Sequence, residues 1–102
     1  MDARQIETAA DPAALAARLP ATPPAKWQRT DNPGGIVEYR LPDDEGLCAA
    51  GKVTVRPDVL GDAAVRVDLA KGCQSAGTTY YDTVEAAAEG VAETLETAPV
   101  DA

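Results

Sequence analysis

The strongest constraint on the fold is a period-two alternation of apolar and polar side chains between Ile36 and Ala70. Side chains at every second position of a strand point to the same face, so the pattern predicts strands with one buried and one exposed face. It predicts three strands, at about residues 36–41, 47–56 and 63–70, and a shorter run at about 27–30 predicts a fourth. The turns between the strands are short, whereas a parallel crossover needs about a dozen residues or more. We therefore predict an antiparallel meander of three or four strands.

A short helix is predicted before the sheet. Asp11-Pro12 combines an N-cap residue with a first-turn proline, which is the usual composition of a helix start. Leu15 and Leu19 are four residues apart and share one face, and Pro20 ends the helix. The proline-rich residues 20–24 then predict an extended connector.

A longer amphipathic helix is predicted after the sheet. Asp82 and Glu85 have the spacing of a capping box. The apolar residues beyond them recur at helical intervals and include Val84, Ala88, Val91 and Leu95. Gly90 costs about 1 kcal/mol relative to alanine in a helix interior, and it either marks close packing against a strand or has no structural role. Pro99 ends this helix.

These elements predict an α+β fold with two layers. An antiparallel sheet is covered on one face by the C-terminal amphipathic helix and the short N-terminal helix, and its other face is open to water. Residues 11–98 form the single domain, because one core is what a chain of 102 residues can build. Residues 1–10 and 99–102 are expected to be flexible ends.

The charge balance limits the classes of partner. Seventeen acidic and nine basic residues give a net charge of −8. This charge disfavours a nucleic-acid partner, which requires clustered Lys and Arg, and also an anionic membrane. The acidic, lysine-poor composition resembles that of cytosolic proteins of salt-loving archaea. No apolar run reaches the length of a signal-peptide core or of a membrane span of about 18 residues, so we expect a cytoplasmic protein with no membrane partner.

The residue types disfavour catalysis. The chain has no histidine, which removes the commonest general base and the commonest metal ligand. Pro33-Gly34-Gly35 lacks the lysine and the Ser/Thr of a phosphate-binding loop and predicts a hairpin turn. Asp43-Asp44-Glu45 lacks the ligand spacing of a calcium loop and predicts a solvated turn. We therefore predict no catalytic, cofactor-binding or metal-binding residue, no cofactor, and a chain that is not an enzyme.

The two cysteines, Cys48 and Cys73, have neither the spacing nor the histidine partner of a zinc site. A hairpin between the third and fourth strands would bring them close together, so a disulfide is one alternative. Disulfides are rare in a reducing cytosol. We therefore predict two unlinked thiols.

Four basic residues fall on the outward register of the predicted sheet: Arg40, Lys52, Arg56 and Arg66. Residues 72–102 carry six acidic residues and no basic one, so a locally basic sheet face would lie opposite an acidic helix. With Trp27, an aromatic suited to interfaces, the four residues form a candidate interaction face. The alternatives are that these charges only pair with Glu38 and Asp68 across strands, that Trp27 is a buried anchor, and that one residue of Tyr80-Tyr81 packs in the core.

Three functions follow in order of preference. The first is a non-catalytic interaction module that binds another protein through the open sheet face or edge. The second is a nucleic-acid binder, because the order α-β-β-β-α is similar to that of double-stranded-RNA-binding domains. Tyr81-Asp82-Thr83-Val84-Glu85 stands where those domains have a basic start of the second helix. The third is a subunit of an enzyme with a site between subunits.

Overall fold

The computed structural model describes residues 9–24, 26–42 and 50–97. In chain order, the elements of these ranges are α1 (Pro12–Arg18), β1 (Gln28–Asn32), β2 (Ile36–Leu41), β3 (Gly51–Pro57), β4 (Val65–Lys71), β5 (Gln74–Tyr81) and α2 (Val84–Thr97). The strands form one sheet in the order β1-β2-β3-β4-β5, and each neighbouring pair is antiparallel. The α+β class and the antiparallel meander are confirmed, with five strands instead of three or four. The predicted Leu47 start of β3 and the acidic turn 43–45 lie outside the described residues.

The strand β5 was not predicted. A tight turn at Gly72 and Cys73 joins it to β4, and Gly72 has a φ of 60°, a conformation that glycine adopts without strain. Every residue of β5 except Tyr81 is exposed, on both faces of the sheet. An edge strand that buries neither face has no alternation in its sequence, and this is why the pattern did not reveal it.

The core lies on one face of the sheet, beneath both helices. The strands contribute the buried residues Val37, Tyr39, Val53, Val55, Val65 and Val67, and the helical segments contribute Leu15, Leu19, Ala87, Ala88, Val91 and Leu95. The inward register predicted for the alternating strand residues is confirmed. Burial of each large aliphatic side chain contributes about 1.5–3 kcal/mol, so this cluster holds the two layers together.

The N-cap predicted for α1 is confirmed, and the one predicted for α2 is wrong. The Asp11 carboxylate accepts a hydrogen bond from the Ala14 amide at 2.9 Å, which confirms the predicted N-cap of α1. In α2 the cap is Thr83, whose hydroxyl oxygen accepts from the Ala86 amide at 3.0 Å. The predicted cap at Asp82 is therefore wrong by one residue, because α2 begins only at Val84.

Trp27 belongs to the core and not to the candidate interaction face. Only 5 % of its surface is exposed, and its indole Nε1 donates to the carbonyl oxygen of Leu95 at 3.1 Å. The ring covers Gly51, where a Cβ would lie 2.9 Å from the indole. Gln28 is the cross-strand partner of Arg40 on the sheet face opposite the helices, so its neighbour Trp27 points to the helix side, where the core lies. Its placement on the interaction face was wrong, and the alternative of a buried anchor is correct.

Arg29 and Tyr39 fasten the proline-rich connector to the sheet. The Arg29 guanidinium donates to the carbonyl oxygens of Ala16, Leu19 and Pro20 at 2.8–3.2 Å. The hydroxyl of Tyr39 donates to the same Pro20 oxygen at 2.6 Å. These bonds satisfy the carbonyl group of Ala16 in the last turn of α1 and those of Leu19 and Pro20, which follow the helix.

Cys73 is bonded in a disulfide, so the prediction of two unlinked thiols is wrong. The other cysteine of the chain, Cys48, lies outside the described residues. The Gly72 amide donates to the Ala50 carbonyl at 3.2 Å, which places the β4–β5 turn beside the chain that leads into β3. The sequence predicted this proximity, and the inference from a reducing compartment led to the wrong conclusion.

Candidate functional site

The sheet face opposite the helices, here called the open face, carries the basic residues that the sequence singled out. The strand registers place Arg40, Lys52, Arg56 and Arg66 there together with two acidic residues, Glu38 and Asp68. Four positive and two negative charges give this face a net charge of +2, on a chain whose net charge is −8. The open face therefore has the opposite sign to the molecule as a whole.

Asp68 is the centre of the polar contacts on the open face. Its carboxylate lies 3.2 Å from Arg66 Nε and 3.6 Å from an Arg56 nitrogen. The Thr78 hydroxyl donates to the same carboxylate at 2.6 Å. Partial burial by itself would raise the pKa of Asp68, but the Thr78 hydroxyl and the two guanidinium groups together hold that pKa below its usual value. Asp68 is therefore charged at neutral pH and joins β4 to both neighbouring strands.

Arg56 and Arg66 are cross-strand partners, directly opposite each other on β3 and β4. Like charges in this position destabilise a sheet. In addition, the Arg56 Nε is buried without a hydrogen-bond partner, which costs free energy. Functional sites are among the places where proteins keep such locally unfavourable arrangements. This arrangement makes the pair a candidate for a functional role.

Tyr80 extends the row of arginines to the edge of the sheet. It is the cross-strand partner of Arg66 on the open face, and 55 % of its surface is exposed. The row therefore reads Arg56, Arg66, Tyr80 across three strands. Arginine and tyrosine are the residue types that contribute most often to binding energy at protein interfaces.

The other two basic residues of the open face are more weakly held. Lys52 Nζ lies 4.0 Å from Glu38, at the limit of an ion pair. Among the described residues, no ion pair or hydrogen bond involves the Arg40 side chain, which is exposed. Exposed ion pairs contribute about 0–1 kcal/mol, so a partner can replace them at little cost.

A shallow concavity of about 560 Å³ lies between β3 and the β4–β5 turn on this face. Lys52, Arg40 and Arg66 contribute its basic groups, and Asp68, Gln74 and Ser75 contribute acceptors. Small-molecule sites are usually enclosed and mostly apolar. This open concavity, with charged side chains in its lining, is better suited to the protruding side chains of a macromolecule.

An apolar corner, formed by Leu60 and Tyr80, adjoins the row of arginines. Val59 is 70 % and Leu60 96 % exposed, and with Tyr80 they are the exposed large apolar residues of the described ranges. Leu60 and Tyr80 line a second concavity of about 410 Å³, whose charged lining residues are Arg66, Asp58, Asp62 and Asp82. Exposed apolar side chains that lie together often mark an interaction site.

The loop that presents Leu60 is held in place by Asp58. This residue is buried, and its carboxylate accepts from the Ala63 amide at 3.2 Å. Its own amide donates to the Ala64 carbonyl at 3.1 Å. The exposure of Leu60 is thus fixed by the fold. Sequence reasoning missed this feature, although two large apolar residues between Pro57 and Gly61 in a predicted turn were a signal for it.

Other classes of site find little support in the described part of the chain. Residues 9–24, 26–42 and 50–97 contain no group of three or more His, Cys, Asp or Glu side chains that could hold a metal ion. None of the helices in these ranges is both long enough and apolar enough to cross a membrane. No protein-family model matches the sequence, and comparisons with curated proteins and with solved structures give no match.

Proposed function

We propose that this chain is a non-catalytic interaction module that binds another protein through its open face. The observation that carries the proposal is the row Arg56, Arg66 and Tyr80, in which two arginines oppose each other directly beside an exposed aromatic ring. Asp68 balances only one of the two positive charges, and a bound carboxylate would pair with the other. The interaction would then recover free energy that the isolated fold loses.

The surface that fits this face is an acidic patch with an apolar side chain next to it. The arginines and Lys52 would bind its carboxylates, and the apolar corner would bind the adjacent apolar group. Apolar contacts at Leu60 and Tyr80 would supply affinity, whereas the charges would select the partner and orient it. Because the whole chain is acidic, such a partner is attracted only at short range and only by this face.

A cytoplasmic location also remains a proposal, based on the composition. The Cys73 disulfide counts against it, because disulfides persist mainly in oxidising compartments.

Capture of partners on charge-reversed variants tests the function. The immobilised chain would be exposed to extract from its own source, as the wild type and as Arg66→Glu. Arg18→Glu is the matched control, because Arg18 makes only an exposed ion pair with Glu85 on the helix side, and the change in net charge is the same. We expect the wild type and Arg18→Glu to retain the same protein and Arg66→Glu to lose it.

Two results would contradict the proposal. Equal capture by Arg66→Glu and the wild type would show that the open face is not the binding surface. Capture that nuclease treatment abolishes would favour the nucleic-acid alternative. In an isotope-labelled sample titrated with the captured protein, the amide signals that shift should belong to β3, β4 and β5 and not to α2.

A further inference from the structure

The two edges of the sheet differ in how they are protected. The edge strand β1 has five residues and carries Arg29 and Asp31, which form a bidentate ion pair with distances of 2.7 and 2.9 Å. Short, charged edge strands resist pairing with another chain. The other edge strand, β5, has eight residues and contains neither a charge nor a proline. Residues 72–81 are the longest uncharged run in a chain of which 25 % is charged.

A bulge divides β5 into two parts. Leu69 pairs with Gly77 and Ala70 with Ser75, so Ala76 is left without a cross-strand partner. Gly77 has a φ of 126°, which only glycine adopts readily. The bulge twists the first half of the edge, and the regular half consists of Thr78–Tyr81. Threonine and tyrosine are among the residues that favour strands.

One hydrogen bond shows which backbone groups of Thr78–Tyr81, the regular half of β5, point away from the sheet. The Tyr81 carbonyl accepts from the Ala64 amide at 2.9 Å, on the side of β4. Backbone groups of successive residues in a strand point to opposite sides. The N–H and C=O groups of Thr78 and Tyr80 therefore point away from the sheet.

We propose that β5 of one copy pairs antiparallel with β5 of a second copy, about a twofold axis at Thr79. In this register Thr78 lies opposite the second copy's Tyr80, and Tyr80 lies opposite its Thr78. These two residues have outward backbone groups, so each pair exchanges both of its N–H···O bonds. The interface is isologous and closes as a dimer.

The side chains also fit this register. Thr79 faces its own counterpart, and threonine pairs are favourable across strands. Tyr81 lies opposite the second copy's Gly77, which presents no side chain, so the Tyr81 ring keeps its packing against Gly90 of its own chain. Asp82 lies opposite the second copy's Ala76, so no two like charges face each other in this register.

The self-complementary register favours a second copy as the occupant of this edge, and the absence of charge along the edge permits it. Two chains of net charge −8 repel each other, and the uncharged run is where they can approach with the least electrostatic cost. Because each copy contributes five strands, the product is one ten-stranded sheet. Residues opposite each other in an antiparallel pair point to the same face, so the dimer presents both open faces on one side.

Sedimentation of the intact chain at increasing concentration, in low salt and in molar salt, tests the dimer. Thr79→Glu and Thr79→Lys would each place like-charged side chains directly opposite each other across the axis, with Cβ atoms about 5 Å apart. We expect the wild type to dimerise with rising concentration, and more strongly in molar salt because the overall repulsion is screened. Each variant alone should be monomeric at low salt, and an equimolar mixture of the two should dimerise again.

The controls are Thr30→Glu and Thr30→Lys, which alter an exposed threonine of the other edge strand. These variants should dimerise as the wild type does. A wild type that stays monomeric at every concentration and salt level would overturn the proposal, as would Thr79 variants that still dimerise alone. If the equimolar mixture of the two Thr79 variants dimerises, both variants must be folded.

The dimer does not depend on the proposed docking function. Arg66→Glu should lose the captured protein and keep the dimer, and Thr79→Glu should lose the dimer and still capture the protein. Failure of either proposal is therefore visible separately from failure of the other.

Discussion

The ring of Tyr81 occupies the space above Gly90 that a side chain on α2 would fill. A Cβ at Gly90 would contact the Tyr81 hydroxyl and lie 2.7 Å from its Cζ, closer than carbon atoms approach. Gly90 therefore marks close packing against a strand, one of the two alternatives that the sequence left open. The glycine lowers the helix propensity of α2 and lets the end of β5 pack against the helix.

We expect Gly90→Ala to lower the free energy of unfolding. The gain in helix propensity is about 1 kcal/mol, whereas overpacking costs about 1–3 kcal/mol. In the background Tyr81→Ala, the same change should instead stabilise the chain by about 1 kcal/mol. Urea unfolding of the four proteins of this double-mutant cycle measures the coupling. A Gly90→Ala variant that is more stable by the full propensity gain would show that Tyr81 moves aside freely.

Tyr39 is expected to ionise well above the usual pH. Burial raises its pKa to about 12, and the positive charge of Arg29 offsets only part of this effect. An ordinary tyrosine has a pKa of about 10. Since the folded-state value is the higher one, the stability that Tyr39 contributes is complete below about pH 10 and is lost as the pH rises towards 12.

The difference in phenolate absorbance between the wild type and Tyr39→Phe, followed with pH, isolates this titration. A midpoint near 10 in the folded protein would contradict the prediction. At neutral pH, Tyr39→Phe should cost about 0.5–1.5 kcal/mol through loss of the bond to Pro20.

Asp68→Asn should destabilise the chain by about 1.5–3 kcal/mol, the range for hydrogen bonds to charged groups. The uncharged side-chain amide of asparagine cannot neutralise Arg56 and Arg66, which lie opposite each other on β3 and β4. The pKa of Asp68 is below its usual value in the fold, so its contribution is complete above the ordinary carboxyl pKa of about 4 and is lost as the pH falls through the lower, folded-state value.

Unfolding free energies of wild type and Asp68→Asn, measured between neutral and strongly acidic pH, should therefore converge at low pH. Glu38→Gln is the control, because Glu38 lies 4.0 Å from Lys52 and its loss should cost less than about 1 kcal/mol. An equal effect of the two substitutions at neutral pH would mean that Asp68 has no special role in the sheet.

Arg29→Lys should loosen α1 and the connector. A lysine cannot reach three carbonyl groups and the Asp31 carboxylate at once, because its ammonium group lacks the planar fork of arginine. The side chain of Arg29 is only 13 % exposed, and the expected loss is about 1.5–3 kcal/mol. Amide hydrogen exchange in α1 should accelerate more than exchange in β3.

Arg40→Lys makes the same chemical change at an exposed position. It should alter neither the amide hydrogen exchange of α1 nor the free energy of unfolding. If Arg29→Lys resembles Arg40→Lys, the bonds from Arg29 do not hold the connector.

The parts of the fold that the sequence predicted are those with a local signature. The strands β2, β3 and β4 each bury one face, and the burial appears directly as alternation. Asp11-Pro12 is a local signature of a helix start. β5 buries neither face and has no such signature. Trp27 contacts Leu95, which is 68 residues away in the chain, and no local pattern reports a contact of that kind.

The same distinction holds for the candidate site. The outward positions of Arg40, Lys52, Arg56 and Arg66 follow from strand period alone. The direct opposition of Arg56 and Arg66 depends on the register between β3 and β4, and the exposure of Leu60 depends on the buried Asp58. Register and loop geometry are tertiary properties. The sequence therefore predicted the members of the open face and not their arrangement.

The charges on the two sides of this small domain have an electrical consequence. Four exposed glutamates, Glu85, Glu89, Glu93 and Glu96, lie on α2, and the other side of the sheet is net positive. The molecule is therefore an electric dipole whose positive end is the sheet. In the field of a strongly acidic neighbour it would turn before contact and arrive sheet first, despite the mutual repulsion of the net charges.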